Sequence, residues 1–112
     1  MTPVMLTDGD ILDRLSIIHL KKAHGLEEDT LPFDRWIANN PDYATSRDFV
    51  DLFGVNQLLW RTEDAIRIAH SEGDIGEIVR LSKQVITENA RRANIKRRID
   101  GERAEKKKYA GQ

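Results

Sequence analysis

The sequence predicts an all-α protein built around one long antiparallel helical hairpin, with an N-terminal helix and a short helical connector before it. Two long stretches of apolar residues recur at intervals of three or four and are separated only by a turn at residues 72–74. The chain of 112 residues has only 7 Gly and 3 Pro, and 33% of its residues are charged, which indicates long exposed helix faces. We expect a single domain spanning residues 1–112.

The first helix is predicted over residues 9–24. Residues 7–10 supply capping side chains and early carboxylates, and Gly25 follows a basic last turn. The apolar stripe of this helix consists of Ile11, Leu12, Leu15 and Ile18. Ile17 and Leu20 fall outside that stripe, so we expect this helix to contact two partners, one of them a second subunit.

Residues 26–44 are predicted to form a connector, because Pro32, Pro41 and the Asn39-Asn40 pair interrupt helical periodicity. The connector still contains the apolar residues Phe33, Trp36, Ile37 and Tyr43. These residues would cover apolar surface, so we expect one short helical turn near residues 33–39 that packs against the hairpin.

The second helix is predicted to begin at a cap on Thr45 or Ser46 and to end at Gly73. Its apolar stripe consists of Phe49, Leu52, Phe53, Leu59 and Ile66. Asp74 then begins the third helix, with Glu77 three residues later as an acidic variant of the capping box.

The third helix is predicted to run from residue 75 to about residue 105, a length of roughly 45 Å at 1.5 Å per residue. Its apolar face consists of Ile75, Ile78, Val79, Val85 and Ile86. We predict that no heptad is sustained over several turns and that residues 106–112 fray. Because the second helix is shorter, we expect the excess length to contact another subunit, and the chain to assemble as a homo-oligomer.

Charge is distributed unevenly along the chain. The net charge is only −1, yet the C-terminal helix end at residues 91–108 has nine Lys or Arg residues and three acidic ones. This segment is therefore predicted to meet a negative partner, which would be a ligand phosphate, a nucleic acid or the acidic part of a second subunit. Tyr109 is its one aromatic neighbour, so a platform for single-stranded nucleic acid is not indicated.

The second helix has polar residues on its apolar face, where Asn56, Trp60, Glu63 and Arg67 are spaced by four, three and four. An antiparallel hairpin closed near residue 73 places Asn56 opposite Asn89 or Ala90, and Glu63 opposite Lys83. The same face of the third helix then continues with Arg92 and Lys96.

Two interpretations of these residues remain open. In the structural one, Asn56 and Asn89 form a buried amide layer that fixes the register of the hairpin. In the functional one, all of the following line a ligand pocket, with the indole as a stacking plane and the cations as phosphate contacts: Asn56, Trp60, Arg67, Asn89, Arg92 and Lys96.

Three segments resemble motifs of small helical bacterial and phage families classed as domains of unknown function. They are Asp13-Arg14-Leu15-Ser16-Ile17, Asn56-x3-Trp60-x2-Glu63-Asp64-x2-Arg67 and Asn89-x-Arg91-Arg92-x3-Lys96-x2-Ile99. The resemblance covers most of the chain outside residues 26–48, where the connector departs from the pattern. It implies an all-α hairpin in which the Asn, Trp, acidic and Arg residues act as a unit, but it implies no activity.

Several classes of site are not indicated. With 0 Cys, the chain has no disulfide, thiol nucleophile or Cys-based zinc site, and we expect a cytoplasmic protein, in the host cytoplasm if it is phage-encoded. His19 and His24 are five residues apart, which does not suit two metal ligands on one helix. Neither a secretion signal nor an apolar stretch long enough to cross a membrane is present. We therefore predict no catalytic residues, no metal, no cofactor and no membrane partner.

The leading hypothesis is a non-enzymatic homo-oligomer that holds a small phosphorylated ligand, such as a nucleotide. By analogy with small helical sponge proteins, a phage protein of this kind would sequester a host immune nucleotide signal as an anti-defence function. The alternative is a structural or interaction module whose basic helix docks an acidic protein or, less favoured, a nucleic acid. A magnesium-dependent nucleotide hydrolase ranks third and would use the acidic residues Glu63, Asp64, Asp74 and Glu77.

Overall fold

The computed structural model describes the backbone of residues 6–110, and the side chains in that range except those of 32, 44, 45 and 103–110. The elements are helices α1 (Asp8–Ala23), α2 (Leu31–Asn39), α3 (Arg47–Glu72) and α4 (Ile75–Ala110), with a 3₁₀ turn at Pro41–Thr45 between α2 and α3. The described residues include no strand. The predicted all-α hairpin with an N-terminal helix and a helical connector is therefore confirmed.

Helix α1 begins at a complete capping box. The amide of Asp10 donates to Thr7 Oγ1 at 3.1 Å, and the amide of Thr7 donates to Asp10 Oδ2 at 3.3 Å. The helix contacts both α3 and α4, and Leu20 is only 2% exposed. Both apolar sides of α1 are thus used within one chain, and Leu20 is not left for a second subunit as the sequence pattern suggested.

The hairpin closes where the sequence predicted. Gly73 adopts a left-handed conformation with φ of 69°, and the amide of Asp74 donates to the carbonyl of Ala69 at 3.0 Å. Asp74 Oδ1 accepts from the amide of Glu77 at 3.1 Å. The reciprocal half of the predicted capping box does not form, because the Glu77 carboxylate pairs with Arg80.

The seam between α3 and α4 follows a sustained heptad pattern, so the prediction that none exists is wrong. Buried or partly buried positions alternate by three and four along both helices. They are Leu52, Val55, Leu59, Thr62, Ile66 and Ala69 on α3, and Leu81, Val85, Glu88, Arg92, Ile95 and Ile99 on α4. The pattern is hidden in the sequence because Thr62, Glu88 and Arg92 occupy positions where a heptad normally has apolar residues.

The main core lies at the open end of the hairpin, which is the end away from the turn at residues 72–74. Helix α1 and the connector pack there. It consists of Leu12, Leu52, Val55, Ile95 and Ile99, with Trp36, Tyr43 and Phe49 packed against it. Helix α2 confirms the short helix predicted near residues 33–39, and Trp36 Nε1 ties it to α1 by donating to Asp8 Oδ1 at 3.2 Å.

The closed end of the hairpin extends past α1. The C-cap residue of α1, His24, stacks on Trp60, so α3 continues for about 18 Å beyond this contact at 1.5 Å per residue. At the opposite end, α4 continues to Ala110, five residues past the predicted boundary. The predicted fraying of residues 106–112 stays a prediction, because residues 111 and 112 and the side chains from 103 onward lie outside the described residues.

Gly9 permits the close approach of α1 to α4. Its amide donates to Asp100 Oδ1 at 2.7 Å, and a Cβ at this position would lie 2.7 Å from the carbonyl oxygen of Lys96. We predict that Gly9→Ala lowers the free energy of unfolding by about 1–3 kcal/mol through overpacking.

The matched control is Gly54→Ala in α3, where a Cβ would meet nothing within 4 Å. Because alanine has the higher helix propensity, this variant should gain about 0.5–1 kcal/mol. Urea denaturation of both variants measures the difference. Equal stability of Gly9→Ala and the parent chain would contradict the close approach of the two helices.

Candidate functional site

A buried polar network joins α1, α3 and α4, and we call it the Asp13 network. It consists of Asp13, Ser16, Asn56 and Arg92. The first three are at most 5% exposed. Asn56 Nδ2 donates to Asp13 Oδ1 at 2.9 Å and to Ser16 Oγ at 2.7 Å, and Ser16 Oγ donates to the carbonyl of Asp13 at 2.7 Å. The amide of Asn56 is therefore used to hold α1 against α3.

Arg92 completes this network from α4. Its Nε donates to Asp13 Oδ1 at 2.8 Å, and its Nη2 donates to Asp13 Oδ2, which makes a bidentate contact. The hydrogen bonds that Arg92 donates to Asp13 raise the pKa of Arg92 above its ordinary value. Burial opposes this effect, and the charge of Glu63 adds to it. Arg92 is therefore always charged, and the carboxylate of Asp13 balances that charge.

Lys96, one turn further along α4, also pairs with a carboxylate of α1. Its Nζ lies 2.7 Å from Asp10 Oδ1. This hydrogen bond is the main reason that the pKa of Asp10 is lowered, and burial opposes it. Since the folded chain holds this carboxyl group at a lower pKa than the unfolded chain, the pair stabilises the fold above about pH 4. That contribution is lost as the pH falls through the lowered pKa of Asp10.

Arg98 of α4 also has acidic partners on another helix. Its Nε donates to Asp48 Oδ1 at 2.8 Å, and its Nη2 donates to Asp51 Oδ2 at 3.0 Å. The basic segment was predicted to meet a negative partner, and for Arg92, Lys96 and Arg98 that partner is the acidic surface of α1 and α3. Ion pairs within the chain therefore account for these three cations without an external ligand or partner.

Four of the six predicted site residues line one cleft of about 220 Å³ between α1, α3 and α4, which we call the Trp60 cleft. They are Asn56, Trp60, Asn89 and Arg92, and Glu63 lines it with them. Lys96 lines a neighbouring cleft of about 680 Å³, to which Arg92 also contributes. Arg67 lines neither cleft, because it pairs with Asp64 on the exposed surface of α3.

The predicted contacts across the hairpin are only partly present. Asn56 and Asn89 line the same cleft, but among the described residues no hydrogen bond joins them. Glu63 and Lys83 are both exposed, and no ion pair between them occurs in the part of the chain described. The predicted turn position is confirmed. The predicted partner of Asn56 is wrong, because α1 packs over this point and supplies Asp13 and Ser16.

One face of Trp60 is already covered. The imidazole of His24 stacks on the indole at 4.4 Å between centroids, with an interplanar angle of 6°. A planar ligand would have to use the other face of the ring or displace His24. The stack also explains why Trp60 is only partly exposed although it lies beyond the main core.

Sequence reasoning missed a second buried polar cluster within the seam. Glu88 is 7% exposed, and its Oε1 accepts from Thr62 Oγ1 at 3.1 Å and from Gln84 Nε2 at 2.8 Å. Its Oε2 is buried and has no hydrogen-bond partner. Thr62 and Glu88 occupy heptad positions, so recognising the heptad would have revealed the cluster.

Asp13 and Ser16 were given no role from the sequence, and Asp10 was expected only to help begin the first helix. The motif containing Asp13 and Ser16 was noticed, but their partners lie on other helices, 40 to 79 residues away. Among the described residues, no group of three His, Cys, Asp or Glu side chains is placed to hold a metal ion.

In the described range, no helix is both long and apolar enough to cross a membrane. A scan against protein-family models gave no match, and neither curated proteins nor solved structures gave a significant one.

Proposed function

We propose that this chain is a non-enzymatic helical interaction module that works as a homo-oligomer. The observation that carries the proposal is the exposed apolar surface on the part of the hairpin that α1 does not cover. On α4, Ile75 is 74% exposed, Ile86 is 70% exposed and Val79 is 49% exposed. Large apolar side chains exposed along one helix face are typical of surfaces that contact another protein.

The distribution of charge supports an interaction module over a dedicated anion site. The cations nearest the predicted ligand site, Arg92 and Lys96, are each neutralised by a carboxylate of α1. Glu63 lines the Trp60 cleft beside Arg92, and Asp13, outside the lining, already pairs with that guanidinium. A phosphate group would enter a cleft that has no excess of positive charge.

Sedimentation equilibrium at tens of micromolar tests the oligomer directly. We predict an average mass that rises with concentration above the 12.9 kDa of one chain. Because apolar burial dominates the contact, the association should persist at high salt. Docking of an acidic protein or nucleic acid on residues 91–108 would instead weaken as salt rises, because salt screens charge. A single 12.9 kDa species at every concentration would contradict the proposal.

Binding of a small phosphorylated ligand is the second candidate, and the Trp60 cleft favours it. The ion pair with Asp13 occupies only two of the five N–H groups of Arg92. The remaining donors, with the exposed amide of Asn89 beside them, can still serve a phosphate oxygen. If the chain is phage-encoded, sequestering a host immune nucleotide is the use that this candidate proposes.

A thermal-shift screen of mono-, di- and cyclic nucleotides tests this second candidate. A nucleotide at 100 times its dissociation constant should add about 2.7 kcal/mol of stability. Asn89→Ala should reduce that shift without unfolding the chain, because Asn89 is exposed, whereas any Arg92 variant also breaks the Asp13 network. Asn94→Ala, an exposed amide of α4 outside the cleft, is the control. If no nucleotide raises the melting temperature, the candidate is withdrawn.

A further inference from the structure

Helix α4 has a second stripe of residues on the side away from the seam, which we call the outer stripe. It consists of Ile75, Val79, Ser82, Ile86, Ala90, Ala93 and Arg97, at intervals of four, three, four, four, three and four. All seven residues are exposed. Their spacing keeps them on one line along the helix, so they form one continuous surface about 33 Å long at 1.5 Å per residue.

The outer stripe has the composition of a helix-packing surface. Its large apolar residues lie toward the closed end of the hairpin, and its small residues, Ala90 and Ala93, lie toward the open end. Small residues let two helices approach closely, and large residues fill the space that they leave. A stripe that is large at one end and small at the other is complementary to a reversed copy of itself.

We propose that α4 packs antiparallel against α4 of a second copy, about a two-fold axis at Ile86. In this arrangement Ile86 meets Ile86 of the partner subunit, Val79 meets Ala93 of the partner subunit, and Ser82 meets Ala90 of the partner subunit. The contact is isologous and closed, as in most homodimers. It rests on the proposed function and adds the surface, the orientation and the register.

The charges at the two ends of the outer stripe favour the same orientation. Arg97 lies at one end, and the acidic hairpin turn with Glu72 and Asp74 lies at the other. The antiparallel register brings Arg97 beside Ile75 of the partner subunit, and so beside the partner's turn. A parallel pair would instead place Arg97 against Arg97 of the partner subunit and one acidic turn against the other, which is repulsive.

A pair of matched apolar-to-acidic variants locates the surface. Ile86→Glu adds a charge at the axis and should leave only monomer in sedimentation equilibrium, with the helical circular dichroism and melting behaviour of a folded chain. Ile68→Glu is the control, because Ile68 is also exposed, at 57%, but lies on α3 outside the stripe. Ile68→Glu should remain as associated as the parent chain. Persistent oligomer in Ile86→Glu, or equal loss in both variants, would overturn the inference.

Single cysteines determine the register, since the chain has no cysteine of its own. Ile86→Cys should form a disulfide-linked dimer under mild oxidation. Thr87→Cys should not, because one residue turns the helix by about 100° and takes the side chain off the stripe. Val79→Cys should cross-link with Ala93→Cys when the two proteins are mixed, but not with itself. Efficient self-cross-linking of Val79→Cys would show a parallel pair and overturn the proposed orientation.

Charge reversal provides an independent readout that a loss of folding cannot mimic. Glu72→Lys and Arg97→Glu should each weaken association by about two- to thirty-fold, because the two-fold axis repeats this exposed ion pair, and the double variant should recover it. Failure of the double variant to recover would overturn the register.

The results also distinguish failure of the proposed function from failure of the proposed interface. A monomeric parent chain contradicts the proposed function itself. An oligomer that survives Ile86→Glu leaves that function standing and removes only the α4 interface.

Discussion

The bidentate contact between Asp13 and Arg92 is the interaction on which the arrangement of the three long helices depends. Apolar contacts such as Leu12 against Ile99 stabilise the packing of α1 but do not define its position along the hairpin, because they have no direction. The carboxylate of Asp13 does define it, since it accepts hydrogen bonds from Asn56 on α3 and from Arg92 on α4 at the same time. A shift of α1 by one residue would leave a buried carboxylate and a partly buried guanidinium without partners, at a cost of several kcal/mol.

The same kind of pairing neutralises part of the uneven charge of the sequence within the chain. The acidic residues of α1 and α3 and the basic residues of α4 are far apart in the chain, but folding pairs them at Asp10 with Lys96, at Asp13 with Arg92 and at Asp48 with Arg98. Among the described residues, the exposed apolar side chains of α4, which are Ile75, Val79 and Ile86, lie in the part of the hairpin that α1 does not cover. The proposed activity of the chain is therefore placed on the outside of α4, away from the buried network.

The sequence was most informative where structure is decided locally. The caps at Thr7, Ser46 and Gly73 were predictable because each depends on hydrogen bonds within a few residues of itself. The partner of Asn56 was not predictable in this way, since it is decided by α1, 43 residues earlier. Arg67 was expected in the site because it shares a helix face with Trp60, but α1 ends beside Trp60, so the walls of the cleft do not continue to Arg67.

The most direct test of this account is the coupling energy between Asp13 and Arg92, measured by a double-mutant cycle with alanine in urea at one fixed protein concentration. The exposed pair of Asp51 and Arg98 is the internal comparison. We predict a coupling above about 2 kcal/mol for the buried pair and below about 1 kcal/mol for the exposed pair. Equal couplings for the two pairs would contradict it, because the position of α1 would then depend on apolar packing alone.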